Sequence, residues 1–158
     1  AIVKDLAMPN GIVFSPDETR LYIADTGGNK KHPDPNFRKP AAGIHCYEVN
    51  KDGKLDRKLF RTETGSDGMA VDSQGNLYIA AGISRSRGPH ETNDIPPGIW
   101  VITPEGECRG RIPIVEDVLT NVTFGGDDLK TLYVAAGKTL FCTRVEIPGW
   151  VVHRRDES

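Results

Sequence analysis

The chain has 158 residues, with 20 Lys and Arg and 22 Asp and Glu spread along it, and a formal net charge of −2. This length favours one domain, and the mixed charges speak against a nucleic-acid arm or a patch for anionic membranes. The sequence contains no run of eighteen apolar residues, so it predicts no transmembrane helix. The first residues do not show the basic and then apolar segments of a signal peptide, and the cellular compartment is not predicted.

Three copies of an apolar strand pair recur along the chain. In each copy a polar residue opens an inner strand, a polar turn follows, and a second strand ends in Ala. The copies start at Asn10, Asp67 and Asn121, and their second strands are Leu21–Ala24, Leu77–Ala80 and Leu132–Ala135. The starting residues are 57 and 54 positions apart. A period near fifty in an all-strand pattern is typical of propeller blades.

Further strands complete each copy. Ile44–Val49 alternates at period two and turns through Asp52-Gly53, a strong hairpin signal, into Leu55–Phe60. The second copy continues with Ile99–Ile102 and Cys108–Ile114, and the third with Leu140–Val145. We therefore predict an all-β fold of three four-stranded antiparallel blades, although the third copy lacks a clear outer strand.

The number of blades is itself informative. The expected blades cover residues 8–62, 63–116 and 117–150, with inner strands at Ile12–Ser15, Met69–Asp72 and Val122–Phe124. Propeller rings need four to eight blades, so three would leave two blade faces exposed. We expect the chain to be part of a longer protein, with residues 1–6 forming the last strand of a preceding blade. A second chain that completes the ring from two halves is the alternative.

Polar residues mark one face of the predicted blades. By strand parity, Asn10, Asp67 and Asn121 open inner strands at one mouth of the central channel, beside the long loops 26–42 and 82–97. Converging carboxylate and carbonyl oxygens are what a hard divalent cation requires. The alternative is that Asn-Gly and Asp-Gly only form turns that lead into a strand.

Several stretches resemble one known family. Met8–Asp17, Gly65–Asp72 and Thr123–Gly126 with Thr131–Val134 are similar to the gluconolactonase/senescence-marker/regucalcin family. The likeness runs in order over essentially the whole chain and corresponds to the family's C-terminal half. It implies a six-bladed β-propeller that hydrolyses sugar lactones to aldonic acids. It also implies one divalent cation on the channel axis, calcium first, with zinc, magnesium or manganese as alternatives.

The resemblance implies roles for individual residues as well. By position, Asn10 and Asp67 match the family's metal-binding Asn and Asp, and the Asp is also its proposed general base. The family's Glu ligand and a further Asn lie upstream, so they have no match here. Cationic loop residues can orient sugar hydroxyls or a product carboxylate, although a solvated loop residue is the plainer interpretation of each His. The candidate substrate-binding residues are Asn121, His32, Arg85 and His90.

The implied chemistry is the attack of water on an ester carbonyl, with a cation polarising the carbonyl and Asp67 deprotonating the water. No Gly-x-Ser-x-Gly elbow occurs, which disfavours an acyl-enzyme route. The alternatives are a related propeller arylesterase or phosphotriesterase, or a non-catalytic calcium-binding propeller. We expect the chain alone to be a poor or inactive lactonase. Its expected partners are a lactone and the rest of the ring, with no nucleic acid or membrane.

The cysteines and tryptophans have structural interpretations. Cys46, Cys108 and Cys142 are too few and too widely spaced for a disulfide framework. Cys46 and Cys142 lie in apolar strand patterns, so we expect both thiols to be buried. We expect Trp100 and Trp150 to pack between blades rather than to stack on sugars.

Overall fold

The structure, a computed structural model, describes residues 2–4, 6–26, 43–62, 66–85 and 95–152. Every regular element in these ranges is a β-strand, so no described helix is available to cross a membrane. The all-β prediction is confirmed. The strands are β1 (Pro9–Phe14), β2 (Arg20–Asp25), β3 (Gly43–Val49), β4 (Leu55–Thr62), β5 (Ser66–Val71), β6 (Leu77–Ala81), β7 (Gly98–Ile102), β8 (Cys108–Pro113), β9 (Leu119–Gly125), β10 (Thr131–Ala136) and β11 (Thr139–Arg144).

The strands form three antiparallel sheets in chain order. Sheet 1 has the strand order β1-β2-β3-β4, sheet 2 has β5-β6-β7-β8, and sheet 3 has β9-β10-β11. Sheets 1 and 2 have the four strands that the repeat predicts. Within the described residues sheet 3 has three strands, which agrees with the lack of a clear outer strand in the third copy of the repeat.

The chain leaves sheet 3 after β11 instead of adding another strand. Gly149 forms a bridge to Asp72 just beyond β5, and the Trp150 N–H donates to the carbonyl oxygen of Val71 at 2.9 Å. Pro148, which has no N–H to give to a strand ladder, precedes this crossing. The segment after β11 therefore ties sheet 3 back to sheet 2.

The inner strands begin three residues earlier than predicted, at Pro9, Ser66 and Leu119. Pairing continues past the polar residues because each inner strand carries a register shift there. Such β-bulges keep a strand paired while they bend it. The polar residues predicted to open the inner strands therefore lie one or two positions inside them.

The three sheets pack face to face in chain order. We call the side of each sheet turned toward the next sheet its forward face, and the opposite side its rear face. Forward-face residues include Tyr22, Ala24, Ile44 and Cys46 in sheet 1, and Tyr78, Ala80 and Ile99 in sheet 2. Each of these faces packs on the rear face of the following sheet in one apolar cluster. Trp100 and Trp150 pack against the cluster between sheets 1 and 2, as predicted.

The outer surfaces of this row differ from the prediction in two places. The described part of residues 1–6 forms no strand, and its Val3 and Leu6 pack instead on the rear face of sheet 1. Cys46 is fully buried, as predicted, but Cys142 is exposed, so that prediction is wrong. The reason is that Cys142 lies on sheet 3, which no further sheet of the described chain covers.

Candidate functional site

β-Bulges set the positions of Asn10 and Asp67. In β1 the register shifts at Asn10-Gly11, where two residues oppose one residue of β2. In β5 it shifts in the same way at Asp67-Gly68. A bulge of this kind bends the strand and re-aims a side chain. The two polar residues therefore hold matching positions in neighbouring sheets.

The third inner strand, β9, has its bulge one residue earlier than the alignment of the three repeats implies. In β9 the register shift falls at Thr120, and Asn121 pairs with Ala135. Thr120 thus takes the position that Asn10 and Asp67 hold in their strands. The prediction that Asn121 shares their register is wrong by one residue. It arose because β9 carries two polar residues in succession, and the first of them is the bulged one.

Asn10 and Asp67 meet across the boundary between sheets 1 and 2. The Asn10 Nδ2 donates a hydrogen bond to Asp67 Oδ1 at 3.0 Å. Asn10 is exposed and Asp67 is half-buried. The fold therefore brings together, at a solvent-accessible edge, the two residues to which the resemblance assigns a common cation.

The glycines that follow these residues allow the inner strands to approach closely. A Cβ on Gly11 would lie 2.4 Å from the carbonyl oxygen of Asp67, and one on Gly68 would lie 2.1 Å from Asn121 Oδ1. Neither glycine has a positive φ. Asn-Gly and Asp-Gly therefore serve strand packing here, and the alternative that they only form turns does not describe this structure.

The remaining sequence candidates are less closely connected to this pair. The exposed Asn121 accepts a hydrogen bond at its Oδ1 from the Val122 N–H at 2.9 Å. This bond fixes its amide beside Gly68. His32 and His90 lie outside the described residues.

Arg85 lies in the segment that follows β6. The preceding Ser84 N–H donates to Asp117 Oδ1 at 3.0 Å, which ties this segment to the entry of β9. Arg85 is exposed. Arg85 therefore lies in a segment at the same end of sheet 2 as the bulge of β5, and it is accessible to solvent.

Asp25 is a positioning residue that the repeat pattern did not reveal. It is fully buried, and its carboxylate accepts hydrogen bonds from the Ala7 N–H at 2.8 Å and the Met8 N–H at 2.9 Å. His45 Nε2 lies 3.8 Å from the same carboxylate. These bonds fix the segment that enters β1 two residues before Asn10. The available signal was a charged residue closing the apolar strand β2, since a buried carboxylate needs specific partners.

The donor set at the mouth is suited to part of a cation site. Hard cations such as Ca²⁺ take carboxylate and amide oxygens, and Asp67 and Asn10 offer these two types. Within the described ranges, no cluster of three or more His, Cys, Asp or Glu is placed to hold a metal ion. The pair therefore fits as two ligands with one negative charge, and further oxygens have to complete the set.

Comparisons with known proteins agree with this geometry. The sequence profile of the SMP-30/Gluconolactonase/LRE-like region matches residues 1–138. A gluconolactonase of Zymomonas mobilis subsp. mobilis is 31% identical over 160 aligned positions, which cover 94% of this chain and 38% of that protein. A solved gluconolactonase from Xanthomonas campestris is 27% identical with a TM-score of 0.62, covering 93% of this chain and 39% of that one.

A more distant solved structure extends the likeness in fold. Regucalcin from Agrobacterium tumefaciens matches with a TM-score of 0.66 at 18% identity, over 94% of this chain and 50% of that one. The chain thus spans between 38% and 50% of the length of these relatives. Its three sheets form part of a propeller, and with the profile match over 138 residues they show that the chain belongs to the SMP-30/gluconolactonase/LRE-like family.

Proposed function

We propose that this chain carries part of the catalytic mouth of a lactonase that opens sugar lactones to aldonic acids with one divalent cation. The observation that carries the proposal is the 3.0 Å contact between Asn10 Nδ2 and Asp67 Oδ1 at two matching β-bulges. The likeness to a 31% identical gluconolactonase supports the substrate class. Because the chain spans 38% of that protein, the activity is proposed for the completed ring.

Asn10 and Asp67 would hold the cation. Their amide and carboxylate oxygens favour calcium, with zinc, magnesium or manganese as alternatives. Bound there, the cation would supply polarisation of the lactone carbonyl and stabilisation of the negative charge that develops on its oxygen.

Asp67 would act as the general base. Its carboxylate accepts a proton from water while the water oxygen forms a bond to the lactone carbonyl carbon. The ring C–O bond then breaks, and the proton passes to the departing ring oxygen, which becomes a hydroxyl of the aldonic acid. The Asn10 amide donates to Asp67 Oδ1 at 3.0 Å, so it orients the carboxylate without competing for the proton.

Polar groups around this pair would orient the sugar. Thr120 holds the matching bulge position in β9 and offers a hydroxyl. The exposed Asn121 and Arg85 offer an amide and a cation that hydrogen-bond sugar hydroxyls or the product carboxylate. His32 and His90 stay sequence predictions for the same role.

A conservative pair of variants tests the proposal. Asp67→Asn keeps the shape of the side chain and removes its charge and its ability to accept a proton. Asp127→Asn makes the same change at an exposed turn beyond β9. We expect Asp67→Asn to weaken calcium binding at least about tenfold, since hard-cation affinity follows ligand charge, and to abolish gluconolactone hydrolysis. Asp127→Asn should match the unmodified protein in both assays.

Titration calorimetry with calcium, zinc or manganese and a pH-stat assay with gluconolactone give the two readouts. Unchanged calcium affinity in Asp67→Asn would contradict the proposed ligand. Calcium binding that depends on Asp67 without turnover of any lactone would favour the non-catalytic alternative. Preferential turnover of aryl or phosphate esters would favour the related esterase.

A further inference from the structure

The segment between β6 and β7 is fixed at its base, at the same end of sheet 2 as the bulge of β5. The Ile83 N–H donates to the carbonyl oxygen of Ile95 at 3.2 Å, and Trp100 Nε1 donates to the carbonyl oxygen of Pro96 at 3.1 Å. Gly82 has a φ of 92°, and a Cβ there would lie 2.3 Å from the same Pro96 oxygen. The two described ends of this segment are therefore held against each other.

Asp117 joins this base to the start of β9. Its Oδ1 accepts hydrogen bonds from the Ser84 N–H and the Val118 N–H, each at 3.0 Å. Ser84 follows β6, and Val118 directly precedes β9. A carboxylate forms stronger hydrogen bonds than a neutral acceptor. One side-chain oxygen therefore links sheet 2 to sheet 3, next to Arg85 in sequence and three residues before the bulged Thr120.

The backbone at this link is strained. Val118 has a φ of 61°, which a β-branched side chain rarely adopts. Such a conformation persists only where the surrounding contacts determine it, and strained residues cluster at functional sites. Here the Val118 N–H donates to Asp117, and the Val118 carbonyl oxygen accepts from the Gly137 N–H at 3.0 Å. The two bonds fix the chain two residues before Thr120.

The contacts that hold Asn10 and Asp67 together are different ones. Their hydrogen bond crosses from sheet 1 to sheet 2, and the close approach of Gly11 to the Asp67 backbone accompanies it. The Asp117 link crosses from sheet 2 to sheet 3. The proposed cation ligands and the proposed sugar-orienting residues are therefore positioned by separate sets of bonds.

We propose that Asp117 is a positioning residue for the substrate. By binding the Ser84 and Val118 N–H groups at once, it fixes the backbone of Arg85 relative to Thr120, so that a guanidinium and a hydroxyl meet the oxygens of one sugar lactone. It does not position the cation ligands. The inference rests on the proposed lactonase function and assigns one residue a part in substrate binding alone.

Kinetics of gluconolactone hydrolysis by the protein with its complete ring test this role. Asp117→Ala should raise KM about tenfold, because a small misplacement of orienting groups is costly. The kcat should stay within about twofold of the wild type, as expected when binding common to substrate and transition state is lost. Calorimetry should give an unchanged calcium affinity, in contrast to Asp67→Asn.

Three further variants separate positioning from charge and from folding. Asp117→Asn keeps an acceptor oxygen and should restore a KM close to that of the wild type. Glu116→Ala removes the same charge one residue away, where the carboxylate accepts from the Thr139 hydroxyl at 2.6 Å, and should leave KM unchanged. Ser84→Pro removes the donor instead of the acceptor and should raise KM as Asp117→Ala does. The two changes combined should add nothing further, since both break one contact.

Hydrogen exchange of the Ser84 amide gives a readout that needs no turnover. It should speed up in Asp117→Ala and stay slow in Asp117→Asn and Glu116→Ala. A fall in kcat or calcium affinity with an unchanged KM, an equal effect of Glu116→Ala, or additive effects of Ser84→Pro and Asp117→Ala would each overturn the role of Asp117 alone. A wild-type protein that binds calcium but turns over no lactone would instead overturn the proposed function, and the substrate role of Asp117 with it.

Discussion

Replacing Gly68 by Ala tests whether close contact between inner strands holds the mouth together. A Cβ there would lie 2.1 Å from Asn121 Oδ1 and 2.8 Å from Asn121 Cα. The amide can turn away, but the Cα belongs to β9, so relief requires β5 and β9 to move apart. Gly125→Ala is the matched control, because its Cβ meets the ring of Tyr133 at 2.9 Å, and that ring is partly exposed and can swing outward.

The expected size of the effect follows from these contacts. Overpacking that forces backbone shifts costs about 1–3 kcal/mol, and a clash with a Cα belongs at the upper end of that range. Removing a glycine stiffens the unfolded chain, which offsets about 0.4–1 kcal/mol. We therefore expect Gly68→Ala to lower the free energy of unfolding by about 2 kcal/mol and Gly125→Ala to leave it nearly unchanged. For a chain of this size the former is a fall in Tm of about 4–8 °C.

Urea unfolding followed by the fluorescence of Trp100 and Trp150 measures the change, because both side chains pack against the cluster between sheets 1 and 2. A calcium titration of the same variants shows whether the strand shift reaches the mouth. Equal stability of Gly68→Ala and the wild type would refute the reasoning. An equal loss in Gly125→Ala would show that side-chain rather than backbone contacts set the cost.

Two further predictions concern carboxylates outside the proposed ligand pair. Asp25→Asn removes the negative charge from the acceptor of two backbone N–H groups. It should lower the free energy of unfolding, measured in urea, by about 1.5–3 kcal/mol. A loss no larger than that of Asp127→Asn would contradict this prediction. The hydrogen bond from Arg144 lowers the pKa of Asp128 from 3.8 to about 2. Because this folded-state pKa is depressed, the stabilisation is present above about pH 4 and is lost as the pH falls through about 2. Arg144→Leu should move the pKa of Asp128 back toward 3.8 in an NMR titration, and an unchanged value would contradict the assignment.

The repeat predicted the sheets because a strand with apolar residues at alternate positions can bury them only by turning that side toward a core. In Leu77–Ala81 both sides are apolar, and the structure buries both because sheet 2 lies between its neighbours. The contact between Asn10 and Asp67 could be predicted from the sequence for a similar reason. Residues at matching places in successive blades meet at the inner edge of those blades.

Other features depended on information that a local pattern lacks. Cys142, like Cys46, lies in an apolar strand pattern, which predicts burial of both thiols. Cys142 is nevertheless exposed, because sheet 3 is the last sheet of the described row. The bulge at Thr120 could not be read from sequence, because Thr120 and Asn121 are both polar and either one can open the strand. Asp25 was missed because its partners are backbone N–H groups, which leave no trace in residue types.

The distance between Asn10 and Asp67 is set by packing of the sheets rather than by either strand alone. The residues are 57 positions apart and lie in different sheets, so their 3.0 Å contact exists only while the cluster between sheets 1 and 2 is intact. Gly11 strengthens this dependence, since its lack of a side chain lets β1 rest against the Asp67 backbone. A change that separates the two sheets therefore moves a proposed ligand away from its partner before either residue is altered. Packing of the core between sheets 1 and 2 and the geometry of the Asn10–Asp67 pair are therefore coupled in this chain.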